Sequence, residues 1–290
     1  MYTSLEDIIA QCKKTSLPFW KVVQLEDCQE SDITEEASFE KMKSIYQAMK
    51  ESDENYDATL RSASGMVGTD AEKLRQYQAN NRMFCGGFSS KVMVRALRVA
   101  ESNACMRRIV AAPTAGSCGV MPAVLITVQE VRGLSDDEMT RALYVASGIG
   151  GVIAARASLA GAEGGCQAEI GSASAMAAGA AVYLSGGDET AMASACAIAL
   201  SNLMGLVCDP VAGLVEVPCV KRNVIGAMNA ISSADLALAG ILSRIPPDEV
   251  IDAMKSVGHM MAPQLRETGQ GGLAATPTGQ RLAQELMENE

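Results

Sequence analysis

Apolar residues recur every three or four positions along much of the chain, which is the spacing of an amphipathic α-helix. The clearest case covers residues 35–62, and Ser135–Glu138 (SDDE) has the form of a capping box opening a helix that runs toward Ser147. The prolines of SRIPPDEV predict another helix start, with the preceding helix ending at Ile245. Only Arg107–Thr114 resembles a strand, and it can equally form an extended loop. The pattern predicts an all-α fold with at most one very short strand.

The middle of the chain is rich in alanine, glycine and serine, and only five residues between Ala142 and Leu200 are charged. Small side chains let helices approach closely, so this stretch predicts a compact helical core. Residues 1–60, by contrast, carry 13 acidic and 6 basic side chains. We therefore predict an acidic helical region over residues 1–64, packed on the main domain, and a helical main domain over residues 65–290.

The whole chain has a formal net charge of −10. Nucleic acids and anionic membranes are not expected as partners, because binding them requires clustered lysine and arginine. The N-terminus MYTSLEDIIAQCKK lacks the basic start and apolar core of a signal peptide, which predicts a cytoplasmic protein. The uncharged stretch Thr190–Cys208 is rich in small residues and contains Asn202 and Gly205, so it predicts a packed core helix rather than a membrane span.

Nine cysteines in a reducing compartment are not expected to form a disulfide framework, and the odd number agrees with this. Cys166, Cys208 and Cys219 each adjoin a glycine or proline turn signal. Their spacings match neither a zinc ribbon nor a ferredoxin motif, so the pattern alone allows either a shared metal site or three separate loop cysteines. Packing is the interpretation for three cysteines inside predicted helices: Cys12, Cys105 and Cys196.

The chain contains, in this order, the segments AAPTAGSCGVMPAVL, EGGCQAEIGSASAMAAGA and GLVCDPVAGLVEVPCVKRN, and it continues to PQLRETGQGGLAATPTG. These segments and their separations resemble the α chain of the iron–sulfur-dependent L-serine dehydratases, also called L-serine ammonia-lyases. The resemblance covers about residues 109–279. Three long segments in order are far more specific than any isolated short motif.

The resemblance implies that Cys166, Cys208 and Cys219 bind a 4Fe–4S cluster in a largely helical catalytic domain. Three cysteines for four irons leave one iron open to the substrate, unlike an electron-transfer cluster. The implied reaction converts L-serine to pyruvate and ammonia, with the open iron as a Lewis acid for the β-hydroxyl group. The segment PTAGSCGV precedes a predicted helix that starts near Gly119, so its N–H groups suit the substrate carboxylate. The substrate-binding residues carried over are Thr114, Gly116 and Ser117.

The resemblance also implies a partner. Single-chain members of the family carry a further domain with a Ser-Ser-Ser-His-Thr-type segment that contributes to the active site, and this sequence has no such segment. The general base, left unidentified, is therefore expected on a separate β chain. The only histidine, His259, lies among methionines on a predicted helix and is expected to be a buried or partly buried structural residue.

Two further functions stay open at this point. An iron–sulfur electron carrier or redox sensor would need a fourth cysteine, for which Cys118 is the candidate. A pyridoxal-phosphate dehydratase is faintly suggested by SSKVMVR (Ser89–Arg95), but the glycines at Gly271–Leu273 are a poor phosphate cup. Lys221 and Arg222 are expected either to counter the charge of a cluster, to hold substrate, or to form an ordinary basic first turn.

Overall fold

The computed structural model describes residues 2–80 and 83–288, and within these residues the chain forms helices and no sheet. The prediction of an all-α fold is confirmed. The only strand-like feature in the described part is an isolated parallel bridge between Cys208 and Arg266. Residues 107–114 form an extended loop. The α-helices are α1 (Leu5–Thr15), α2 (Phe19–Ser31), α3 (Glu35–Glu54), α4 (Asp70–Ala79), α5 (Gly87–Ala104), α6 (Val120–Arg132), α7 (Asp136–Arg156), α8 (Gly161–Gly164), α9 (Ser172–Leu184), α10 (Glu189–Leu203), α11 (Cys219–Leu238), α12 (Pro247–Met260) and α13 (Pro277–Glu288).

Helix starts follow the sequence signals closely. The capping box is present: the Ser135 amide donates to the Glu138 carboxylate at 2.7 Å, and the Glu138 amide donates to the Ser135 hydroxyl at 3.3 Å. Helix α12 begins at Pro247, as its prolines predicted. A proline fits the first turn because the amide it lacks has no intrahelical partner there.

Two predicted helix ends were wrong. The helix predicted over residues 35–62 stops at Glu54, and beyond it Asp57 turns the chain by accepting the Thr59 amide at 2.9 Å. The helix predicted to reach Ile245 stops at Leu238. Gly240 there adopts a left-handed φ of 79°, and the Ile241 amide donates back to the Leu236 carbonyl at 2.9 Å. This six-to-one hydrogen bond ends the helix, as in a Schellman motif.

Helix α9 forms the centre of the molecule and packs against α6, α7, α10 and α11. Every residue from Ser172 to Val182 is buried, so this helix has no solvent face. Its alanines and glycines permit the close approach: a Cβ placed on Gly179 would lie 2.2 Å from Cδ1 of Ile149 on α7. The small-residue stretch therefore folds as a rigid platform of tightly packed helices.

The acidic N-terminal helices share this core. Phe19, Val22 and Tyr46 belong to the same buried cluster as Met139 and Ile149. The division of the chain at residue 65 stays a prediction. None of the helices in residues 2–80 and 83–288 is both long and apolar enough to cross a membrane.

We predict that Gly179→Val lowers the free energy of unfolding by about 1–3 kcal/mol, because the added side chain overpacks the contact between α7 and α9. Denaturant unfolding of the metal-free chain measures the change. Gly87→Ala is the matched control, since a Cβ at Gly87 meets nothing within 4 Å. An unchanged unfolding midpoint for Gly179→Val would contradict the close packing.

Candidate metal centre

Three buried cysteines come from separate segments of the chain, and the structure brings the ligand atoms of two of them, Cys166 and Cys208, within 4.8 Å of each other, while Cys219 lies outside that group. Cys166 follows α8, Cys208 lies in the connection after α10, and Cys219 opens α11. Gly165 gives the turn before Cys166, with φ of 74°, and a Cβ there would lie 2.8 Å from the Leu206 carbonyl oxygen. Only glycine fits this close crossing of two backbones without strain.

The thiol groups of Cys166 and Cys208 interact with each other. The Cys208 thiol donates to the Cys166 sulfur, and this hydrogen bond, together with the charge of Arg222, lowers the pKa of Cys166. The same hydrogen bond and burial raise the pKa of Cys208. Burial, with the negative charge at Cys166, raises the pKa of Cys219 to about 12. A metal bound by these sulfurs would displace their remaining protons, because cysteine binds metals as the thiolate.

The largely buried side chain of Arg222 contacts the segments of both Cys166 and Cys208. The Arg222 guanidinium lies 3.4 Å from the Cys166 sulfur, donates to the Val207 carbonyl at 2.8 Å and pairs with the Asp209 carboxylate at 2.8 Å. Asp209 is 3% exposed, so its charge depends on this partner. Lys221, the neighbouring candidate, instead extends outward toward Asp70 at 3.8 Å.

A strap formed by residues 263–276 holds the Cys208 segment from the other side. The Cys208 amide donates to the Leu265 carbonyl at 2.8 Å, and the Glu267 amide donates to the Cys208 carbonyl at 2.8 Å. Further along the strap, the Leu273 amide donates to the Asp209 carboxylate at 2.8 Å. The backbone on both sides of the Cys208 side chain is therefore fixed.

The loop of residues 114–117 lies beside the cysteines, ahead of α6. Thr114 and Ser117 close it through a contact of 3.1 Å between their hydroxyl oxygens, and Ser117 is fully buried. Asn223 on α11 positions the loop by donating to the Gly116 carbonyl at 2.8 Å and accepting from the Gly119 amide at 2.8 Å. The substrate-binding role of the loop stays a prediction. Within the loop, the Ser117 hydroxyl accepts a hydrogen bond from the Thr114 amide at 3.3 Å.

Glu169 joins the loop to the cysteines, and the sequence analysis missed it. One carboxylate oxygen accepts the Thr114 hydroxyl at 2.8 Å, and the other lies 4.0 Å from the sulfurs of both Cys166 and Cys208. The ligand atoms of Glu169 and these two cysteines lie within 4.8 Å of one another, a group able to hold a metal. Burial is the main cause that raises the pKa of Glu169. The available signal was its place three residues after Cys166, in a stretch almost without charge.

The structure keeps several other candidates out of this cluster. The Cys118 thiol is fully buried and approaches the Val99 carbonyl oxygen at 3.9 Å. Cys12 and Cys196 are buried in the main core, which agrees with a packing role. His259 is exposed in the last turn of α12, so the expectation that it is buried was wrong: the apolar face of that helix is formed by Val250, Ile251 and Met254. A cavity of about 550 Å³ lies between α1, α10 and α12, and no cysteine lines it.

Comparison of the sequence with known proteins places this chain in a family. The family described as "Serine dehydratase alpha chain" matches residues 14–274, which is most of the chain. The chain belongs to this family. The match starts well before the segments that carry the resemblance in the sequence, so α2 and α3 of the acidic N-terminal region are included in it.

Individual members of the serine dehydratase alpha chain family are similar over their full length. A protein of Bacillus subtilis named "Probable L-serine dehydratase, alpha chain" is 45% identical over 99% of this chain and 95% of its own length. The "L-serine dehydratase, alpha chain" of Peptoniphilus asaccharolyticus is 41% identical over 99% of both chains. By contrast, "L-serine dehydratase 2" of Escherichia coli is 44% identical over 62% of this chain but only 40% of its own length.

We predict that Arg222→Met lowers the free energy of unfolding by about 3–5 kcal/mol, because it leaves the buried Asp209 carboxylate without its counter-charge. Denaturant unfolding of the metal-free chain is the measurement. Lys221→Met removes an equal charge from the adjacent exposed side chain and is expected to change stability by less than about 0.5 kcal/mol. Equal losses of unfolding free energy in the two variants would show that the ion pair between Arg222 and Asp209 does not stabilise the chain more than an exposed charge does.

Proposed function

We propose that this chain is the α chain of an L-serine dehydratase that converts L-serine to pyruvate and ammonia. The observation that carries the proposal is the close approach of Cys166 and Cys208 beside the loop of residues 114–117, with Cys219 in the same helical turn as Arg222, in a chain of this family. The names of the full-length relatives support L-serine as the substrate.

The donor set suits a 4Fe–4S cluster held by these three cysteines. Sulfur ligands favour iron–sulfur clusters; the three thiols are buried and come from different segments, and those of Cys166 and Cys208 lie within 4.8 Å of each other. Arg222 supplies a positive charge 3.4 Å from Cys166, which would offset part of the negative charge of bound thiolates. When bound, the cluster would supply an open iron as a Lewis acid for the β-hydroxyl group of the substrate.

The chain's own residues would bind and orient the substrate. The backbone of residues 114–117 leads into α6, a helix of 13 residues whose positive N-terminal end favours a carboxylate. Thr114, Gly116 and Ser117 therefore remain our proposed substrate-binding residues. Asn223 holds this loop at a fixed distance from Cys219, since it also donates to the Cys219 carbonyl at 3.0 Å.

We further propose that a β chain completes the enzyme and supplies the base that removes the α-proton. Two relatives matched over nearly their whole length are named as α chains, whereas the Escherichia coli relative is matched over only 40% of its length. This contrast supports an enzyme whose remaining part belongs, in the present case, to a second polypeptide.

The alternatives have less support. An electron carrier would need a fourth cysteine ligand, and the thiol of Cys118 faces the Val99 carbonyl instead of the three cysteines. A pyridoxal-phosphate dehydratase would need a free lysine, whereas Lys91 pairs with Glu130 on the surface.

The ligand assignment predicts that Cys166→Ala, Cys208→Ala and Cys219→Ala each abolish retention of the cluster after anaerobic reconstitution. Cys12→Ala and Cys196→Ala, at two core cysteines, are the controls and should retain it. Iron and sulfide counts per chain, with visible absorbance, are the measurements. A Cys208→Ala protein with full iron content would refute the assignment.

The partner assignment predicts that the isolated chain holds a cluster but deaminates L-serine at least about 100-fold more slowly than the mixture with a β chain, because a positioned general base contributes about 10²–10⁴-fold. Pyruvate formation, normalised to cluster content, measures the difference. Equal rates with and without the β chain would place the base within this chain.

A further inference from the structure

Glu169 is held in a fixed position between the proposed carboxylate-binding loop and two of the cysteines. It lies in a π-helical segment, Gln167–Gly171, which directly follows Cys166 and leads into α9. Short π-helical segments are costly and occur frequently at functional sites. Two glycines make room for the carboxylate: a Cβ on Gly161 would lie 2.7 Å from one of its oxygens, and a Cβ on Gly116 would lie 3.1 Å from the other.

The carboxylate has no cationic partner in the part of the chain that the structure describes. The Thr114 hydroxyl donates to it at 2.8 Å, the thiols of Cys166 and Cys208 lie 4.0 Å from it, and no described lysine or arginine forms an ion pair with it. Arg222, the cation beside Cys166, is committed to Asp209, the Val207 carbonyl and the Cys166 sulfur. An ionised, half-buried carboxylate without a counter-charge is unfavourable, so it either takes up a proton or favours a cation bound beside it.

From this geometry we infer that Glu169 binds the α-ammonium group of the substrate and thereby selects amino acids over hydroxy acids. The inference rests on the proposed function and adds a residue to it. The ammonium and carboxylate groups of an amino acid are attached to the same carbon atom, so their binding sites must adjoin. Glu169 meets that requirement, because it contacts both Thr114 and Gly116 of the loop.

The other two polar groups of the substrate do not suit Glu169. The substrate carboxylate would be repelled by it, and the N–H groups ahead of α6 offer that group a better site. A hydroxyl group would donate a hydrogen bond to the carboxylate as a neutral donor. An ammonium group would donate a stronger hydrogen bond, because both partners are charged, and it would supply the missing positive charge.

The test compares Glu169→Gln with wild type in the reconstituted complex with the β chain, using two competitive ligands. L-Alanine carries the ammonium and carboxylate groups, and 3-hydroxypropanoate carries the carboxylate and hydroxyl groups without the ammonium. Replacing a charged hydrogen bond by a neutral one is expected to raise the inhibition constant of L-alanine and the KM for L-serine about five- to thirtyfold. The inhibition constant of 3-hydroxypropanoate should change by less than about threefold. Glu163→Gln, at an exposed glutamate of the same segment, is the matched control and should change none of these values.

Iron content separates this role from two others. Glu169→Gln should retain the cluster; loss of iron in this variant alone would make Glu169 a metal ligand and overturn the inference. A fall in kcat with unchanged ligand affinities would assign it to the chemical step and overturn it equally. An equal rise in the inhibition constants of both L-alanine and 3-hydroxypropanoate would show that Glu169 has only a structural role, and would overturn the inference.

The wild-type complex provides a measurement that does not depend on how the variant folds. It should bind L-alanine more tightly than propanoate, which differs from it only by lacking the ammonium group, and equal affinities would overturn the inference by themselves. If the wild-type complex converts L-serine but shows no such preference, only the role of Glu169 fails. If it neither binds nor converts L-serine, the proposed function fails and the inference falls with it.

Discussion

The Arg222 guanidinium joins the three segments that carry the candidate cluster ligands. It belongs to the first turn of α11, three residues after Cys219, and it contacts both the Cys166 sulfur and the segment Val207–Asp209 that flanks Cys208. Because the side chain is only 15% exposed, its bonds are strong only in one arrangement of the surrounding acceptors. The relative positions of the three cysteines therefore depend on one side chain whose loss would leave a buried carboxylate unpaired.

The helical platform makes such precision possible. A cluster site assembled from three connections would be loose if the helices behind it could shift. Here α9 is buried on all sides, and its glycine contact with α7 leaves no space for even one added methyl group. Closely packed interiors have low compressibility, so the helices behind the site hold the connections that carry the cysteines in fixed positions. The richness in alanine, glycine and serine is thus a requirement of the site as well as of the fold.

The starts of the helices and the position of the three cysteines at turns between helices could be predicted from the sequence, because both leave local signals, whereas the joint role of these cysteines as ligands stays a prediction. Capping residues and prolines mark helix starts, and the turn residues around Cys166, Cys208 and Cys219 set these cysteines apart from those inside helices. Helix ends were predicted less well, since the stop at Leu238 depends on the left-handed conformation of Gly240. The long-range contacts left no local signal: Thr114 and Glu169 are 55 residues apart, and Gly116 and Asn223 are 107 apart.

The first turn of α11 links the two halves of the site. Cys219 is a proposed cluster ligand, Arg222 orients the segments of the other two, and Asn223 holds the loop of residues 114–117 by its carbonyl and amide groups. A substrate that bridges the cluster and the loop needs both at a constant separation, because its hydroxyl and carboxylate groups lie on a short carbon chain. Placing all three residues within five positions of one helix fixes that separation by the helix geometry itself. The proposed metal binding and substrate recognition would therefore be positioned by the same element, which would let a site drawn from four distant segments keep a single shape.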